Sequence, residues 1–332
     1  MVKGGVLIIS LDFELCWGVI ARKGIKKYKK NILGVRFAVP ALLKLFNEYG
    51  IHATWATVGF LFFETKDDLI KGLPTKKPFY PNKKLLSYNE IDNIGPNEKK
   101  DPFHCAPSLI KLIVSSPNQE IATHTFSHYY CLEKGQNKET FKDDLEAAIT
   151  VAKKYNLTLE SIVFPQNQIN EQYLSICREM GIRAYRGNES SWPYKVESLE
   201  NESLAKRALR LMDAYLNISG HNAYSLNNIS RALPLNIPSS RFLRPYSNCT
   251  NFLEPLRLHR ILSDLTHAAK NDLIYHLWWH CYNFGDNMGK NIKFLKKILD
   301  HFLNLREKYG MKSFNMKELT NKLLNESNDY KK

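Results

Sequence analysis

The sequence predicts an α/β fold of the (β/α) barrel kind, incomplete in its strand count and wound as a single domain over residues 1–332. Three observations carry that expectation. Short apolar, β-branched runs alternate with longer helical stretches in about seven βα units. No Gly-rich dinucleotide loop follows the first strand, which weighs against a doubly wound sheet. Chemically active residues fall just after the apolar runs, where a barrel places its active site.

The elements follow in order. "GVLIISLDF" opens the chain as a strand buried on both faces. "VPALLKLFNEYG" is a helix with Pro40 near its first turn and Gly50 as its stop, and "IHATWATV" is the second strand. An irregular Lys/Pro-rich insertion, about residues 65–101, comes next. "APSLIKLIVSS" (helix), "EIATHT" (strand), "KETFKDDLEAAITVAKKYN" (amphipathic helix), "SIVF" (strand), "NEQYLSICREMG" (helix) and "IRAY" (strand) continue the alternation. Residues 193–235 are irregular and hold at least one helix. "FLEPLRLHRILSDLTHAAK" (helix), "DLIYHLWW" (strand), "KNIKFLKKILDHFLNLREKYG" (helix) and "MKELTNKLL" (helix) complete the chain.

With 44% hydrophobic and 24% charged residues the chain reads as globular. No apolar run approaches the ~20 residues of a membrane span, and the N-terminus lacks the long apolar stretch of a secretory signal, so a cytoplasmic location is expected. The six cysteines are scattered without a C-x-x-C, which indicates neither a thiolate zinc site nor a disulfide framework and predicts reduced, mostly buried thiols. The net charge is +14, densest in "RKGIKKYKK" from Arg22 to Lys30. Such a field favours phosphorylated substrates, other polyanions or peripheral contact with an anionic membrane. No aromatic–basic pattern accompanies the lysines, so nucleic acid is not expected as a partner.

The polar residues at the strand ends suggest the chemistry. Asp12 and Glu14 in "SLDFE" are two apart and project to one side of an extended chain. A carboxylate facing a barrel interior costs several kcal/mol unless it is paired, protonated or bound to a metal. In "HTFSH", His124 and His128 share a face if the chain turns helical after the strand. With one carboxylate they make the ligand complement of a catalytic zinc or similar divalent ion that keeps a position open for water. In "LIYHLWWHCYNFG", His276 and His280 lie on the same side, with His280 nearer the catalytic mouth and suited to a general acid.

Taken together, "SLDFE", "HTFSH" and "HLWWHCYNFG" resemble the motifs of the polysaccharide deacetylase family, the metal-dependent carbohydrate esterases of family 4. "HTFSH" is similar to the family's H-[S/T]-x-x-H motif, which implies His124 and His128 as metal ligands. "SLDFE" resembles the motif that supplies a base and a metal carboxylate, which implies Asp12 as base and Glu14 as ligand, with Glu in place of the usual Asp. His280 matches the histidine acid. A third motif normally carries an arginine that orients the base. In "VFPQNQIN" none is present, so Gln166 or Asn167 would stand in for it. The resemblance further implies a (β/α)7-like distorted TIM barrel with an insertion after the second strand, and one divalent ion: Zn first, with Co, Ni or Mn admitted by the same ligands.

The implied reaction is removal of an N-acetyl or related acyl group from a sugar. Trp17, Trp279 and Tyr282 are candidates to stack on sugar faces, and Arg241 and Arg244 of "SSRFLRP" to clamp a phosphate. A cytoplasmic location favours a nucleotide- or lipid-linked precursor of a surface polysaccharide over the mature polymer. Two rivals remain at this level. One is a glycoside hydrolase with Asp12 and Glu14 as its acid/base pair. The other is an impaired pseudoenzyme that binds sugar or polyanion, motivated by the missing arginine and the Asp-to-Glu exchange.

Overall fold

A computed structural model describes residues 3–21 and 24–329. Strand β1 (Val6–Phe13) is buried along its whole length, as its unbroken apolar run requires of a strand covered on both faces. Helix α1 (Gly24–Tyr49) begins well before the expected residue 39 and holds Pro40 in its interior. The lysine run hides that start, but Ile32, Val35, Val39, Leu42, Leu43 and Phe46 form one buried stripe at helical spacing. Pro40 lies on the exposed side, so its missing N–H costs the core nothing. Arg22 and Lys23 of the basic run lie outside the described residues; the rest of the run forms the first turns of α1.

Strand β2 (Ala53–Thr57) leads into the insertion, which carries helix α2 (Lys66–Lys71) and otherwise 3-10 turns. Helix α3 (Pro107–Ser115), β3 (Gln119–Thr123), α4 (Lys138–Lys153), β4 (Ser161–Ile162), α5 (Leu174–Glu179) and β5 (Ala184–Gly187) follow as the sequence predicts, most with shorter ends. The irregular region contains α6 (Leu204–Asp213) and β6 (Tyr224–Ser225). Four short strands lie outside the sequence expectations: β6, β7 (Leu235–Pro238), β8 (Arg241–Phe242) and, near the C-terminus, β10 (Lys312–Ser313). Then come α7 (Glu254–Lys270), β9 (Leu273–His280), α8 (Met288–Tyr309), β10 (Lys312–Ser313) and α9 (Met316–Asp329).

The sheet runs β6-β9-β1-β2-β3-β4-β5-β7, with β8 also on β9 and β10 on β1. All these pairings are parallel except β6 with β9. β7 and β8 are separated only by Ser239 and Ser240, and that segment curls the sheet back on itself. Ser239 N donates to Gly187 O of β5, while Ser240 N donates to His276 O of β9, each at 2.8 Å. A distorted (β/α)7 barrel results, whose sixth strand in chain order is the broken β7–β8 segment. All six cysteines are free, five of them buried and Cys249 exposed. No helix among the described residues is long and apolar enough to cross a membrane.

Candidate active site

Register brings the first pair of site residues together. Asp12 in β1 stands opposite His280 in β9, both at the C-terminal ends of their strands. His280 Nε2 lies 3.8 Å from Asp12 Oδ2 and 3.7 Å from Glu14 Oε1. The His280 ring stacks on Tyr282 at 5.0 Å and 19°, which fixes its orientation.

His124 and His128 do meet, but not on a helix. Thr125 and His128 adopt left-handed φ of 62° and 58°, so a tight loop rather than a helical turn folds the second ring onto the first. Asp144 of α4 holds that loop: its carboxylate accepts from Phe126 N at 2.7 Å, Ser127 N at 3.2 Å and the Ser127 hydroxyl. Thr125 Oγ1 accepts from Tyr129 N at 2.7 Å and closes the far end.

Glu14, His124 and His128 offer one ligand atom each, all within 4.8 Å of one another, and all three residues are buried. Both Nε2 atoms lie 3.1 Å from Glu14 Oε2. His124 Nδ1 is 2.8 Å from the Val163 carbonyl and donates to it, which in the neutral ring leaves Nε2 a bare acceptor facing a carboxylate. Glu14 Oε1 and both ring nitrogens of His128 are buried without a hydrogen-bond partner. Acceptors crowded in this way need a proton or a cation. Two imidazoles and a carboxylate fit a divalent ion with an open position, so the donor set suits a catalytic metal. Gly18 makes room for the longer acid, since a Cβ there would lie 1.8 Å from Glu14 Oε1.

Charge follows the same geometry. Burial pushes the Glu14 carboxyl up, but the His280 charge and the His124 and His128 contacts outweigh it and hold it well below the ordinary value. Burial holds the His128 pKa below its ordinary value, which favours the neutral ring that ligation needs.

The arginine expected near Gln166 comes from elsewhere in the chain. Arg186, in the middle of β5, sends Nη1 to Asp12 Oδ1 at 2.7 Å and Nη2 to Oδ2 at 2.9 Å. Its Nη2 also donates to Asn167 Oδ1 at 2.9 Å, so Asn167 supports the arginine instead of replacing it. Burial raises the Asp12 carboxyl, but the Arg186 charge and hydrogen bonds, with the His124 and His280 charges, bring it below the usual range. Beneath the pair, Arg186 Nη1 donates to Ser10 Oγ at 3.1 Å, and Ser10 Oγ lies 2.8 Å from His276 Nε2. Of the two arginines in "IRAYRG", Arg186 was the available signal, since an arginine toward the C-terminal end of a barrel strand needs a buried partner.

A cavity of about 290 Å³ opens onto Asp12 and His280 and is lined in addition by Asn167, Arg241, Arg244 and Trp278. Trp17 and Trp279 are not in it. They are 1% and 0% exposed; Trp17 packs on Phe60 and donates to the His104 carbonyl, and Trp279 packs on Phe46 and Phe284. The expectation that they stack on a sugar is corrected to a place in the core. Trp278, one residue along and on the opposite face of β9, lines the cavity with Arg186 over its ring at 4.2 Å.

Residues 33–185 match the family model for polysaccharide deacetylase. No curated protein matches the sequence. Among solved structures, a Mycobacterium smegmatis protein assigned to the polysaccharide deacetylases aligns over 98% of this chain and 92% of its own, at 11% identity and TM-score 0.59. A Pseudomonas aeruginosa protein with the same assignment aligns over 95% and 89%, at 10% identity and TM-score 0.57. PuuE allantoinase covers the same shares, at 10% identity and TM-score 0.56. At such identities the structures establish a shared fold only, while the family model speaks for residues 33–185. Residues 33–185 thus match the polysaccharide deacetylase model, and the chain as a whole shares its distorted (β/α)7 barrel fold with proteins of that assignment.

Proposed function

We propose that the protein is a metal-dependent hydrolase that removes an N-acetyl or related acyl group from a sugar. The observation that carries this reading is the convergence of Glu14, His124 and His128 beside an acid/base pair, Asp12 and His280, at one end of a cavity. Glu14, His124 and His128 would hold a divalent ion, Zn before Co, Ni or Mn, which when bound would supply Lewis acidity for the acyl carbonyl and for a water whose pKa would fall toward ~7. Asp12, held ionised by Arg186, takes a proton from the attacking water. His280, on the opposite strand, donates a proton to the leaving nitrogen or oxygen. Asn167 fixes Arg186 and, through it, the base.

The glycoside hydrolase rival needs one carboxyl with a raised pKa to act as acid. Asp12 is gripped by the Arg186 fork, which favours its ionised form, and Glu14 faces His124 and His128 rather than lining the cavity, so the pair does not read as an acid and a base across a substrate. The pseudoenzyme rival rested on the missing arginine and on Glu in place of Asp; Arg186 supplies the arginine, and Gly18 leaves room for the longer Glu14 side chain.

The test pairs metal analysis with acetate release on N-acetylated sugars. Wild type is expected to hold about one equivalent of divalent metal and to lose turnover on chelation. His128→Ala is expected to lose the metal. Stoichiometric metal in that variant, or turnover that survives chelation, would end this reading.

A further inference from the structure

The cavity runs from Asp12 and His280 to a wall rich in cations: Lys195, Lys206, Arg210, Arg241 and Arg244. Helix α6 builds part of that wall in an inverted sense. Its Lys206 is 6% exposed and Arg210 is half-buried, while Leu204, Leu211 and Met212 are 78%, 45% and 49% exposed. An amphipathic helix ordinarily turns its charged face to water, so these inward cations need counter-charge.

Most of them have it. Lys206 pairs with Glu197 at 2.7 Å, and Arg210 pairs with Glu202. Arg241, 3% exposed, is held by Asp264 at 2.9 Å and Asp213 at 3.2 Å, yet its Nη2 has no hydrogen-bond partner. Arg244 differs, because no carboxylate among the described residues lies within ion-pair distance of it. Its Nη2 donates to the Arg210 carbonyl at 3.3 Å. Burial, with the Arg210 and Arg257 charges nearby, pushes its pKa down, as expected of a guanidinium short of counter-charge.

We propose that this end of the cavity binds the phosphate of a phosphorylated sugar, with Arg244 as its principal ligand and Arg241 Nη2 beside it. Guanidinium and phosphate make charge-assisted, geometrically matched hydrogen bonds, and the cavity has room for a small ligand. A sugar anchored there extends its acyl group toward Asp12 and His280. The choice of an acylated sugar rests on the deacylation reading above; the anion site rests on the cations.

The test measures calorimetric binding of N-acetylglucosamine and N-acetylglucosamine 1-phosphate to the metal-loaded protein, wild type and Arg244→Gln. The phosphorylated sugar is expected to bind wild type about 10- to 100-fold more tightly than the neutral one, and Arg244→Gln to bring the ratio of the two affinities close to one. A parallel arm uses the decyl phosphodiester of the same sugar. Arg244-dependent preference in the monoester arm identifies a free sugar phosphate, and preference confined to the diester arm identifies a lipid-linked one. Equal wild-type binding of neutral and phosphorylated sugars in both arms overturns the site, whether or not the variant folds. So does a preference unchanged in Arg244→Gln. Selective binding of the phosphorylated sugar without acetate release would support the anion site and sink deacylation, whereas acetate release with no phosphate preference would do the reverse.

Discussion

Arg186 grips Asp12 through two parallel hydrogen bonds of 2.7 and 2.9 Å, from a strand 174 residues along the chain. The fork fixes both carboxylate oxygens and keeps the acid ionised in a buried place. Arg186→Lys preserves the charge but not the fork. It is expected to lower turnover by roughly 10- to 100-fold with metal content unchanged. Arg186→Met leaves a buried carboxylate unpaired and is expected to cost about 3–5 kcal/mol of stability by denaturant unfolding. Wild-type turnover in Arg186→Lys would remove the positioning role.

The same pair marks the limit of what the sequence discloses. β1 was legible because a strand buried on both faces is an unbroken apolar run, and its two acids stand out against it. "HTFSH" was legible as a spacing, though a helix was the wrong means of closing it, since left-handed residues bring the rings together. The partner of Asp12 was not legible, because nothing near residue 12 points to residue 186. β7 and β8 stayed hidden because "LNIPSSRF" has too few apolar residues and a proline in its middle. Trp278 could have been chosen over Trp279, since it shares strand parity with His280. Trp17 lies in a turn, where no periodicity tells core from cavity.

Asp12 and Glu14 are expected to separate cleanly by variant. Asp12→Asn touches the base and is expected to keep about one equivalent of metal while turnover falls by roughly 10²- to 10⁴-fold. Glu14→Gln removes the anionic ligand and is expected to abolish stoichiometric metal. Elemental analysis of the two purified proteins checks this, and the opposite pattern would exchange the two roles.

Asp144 governs the metal ligands from behind. Burial pushes its carboxyl up to about 6, and it nevertheless accepts two backbone N–H groups and a hydroxyl from the 126–127 loop. Asp144→Ala leaves those donors buried without partners, at about 1–3 kcal/mol each. Metal affinity by chelator competition is expected to fall by roughly 10- to 100-fold, with Asp144→Asn recovering part of the loss because its carbonyl can still accept from Phe126 N. Unchanged affinity in Asp144→Ala would show that the loop holds its shape without this acid.

His276 sets an acid limit on the barrel. Burial, helped by the Arg186 charge, brings its pKa down to about 3, and its ring lies 2.8 Å from Ser10 Oγ and 3.2 Å from the Pro238 carbonyl. The folded protein therefore keeps the ring neutral, while the unfolded chain protonates it near ~6.5. Between those values the unfolded state binds more protons. The contribution is fully present above pH ~6.5 and is lost toward pH ~3, by about 1.4 kcal/mol per pH unit at the steepest. His276→Gln cannot titrate yet keeps an acceptor for Ser10 and a donor for Pro238. It is expected to melt lower than wild type at pH 7 but to lose Tm more slowly between pH 6.5 and 4. Parallel Tm–pH slopes in the two proteins would place the acid limit in other groups.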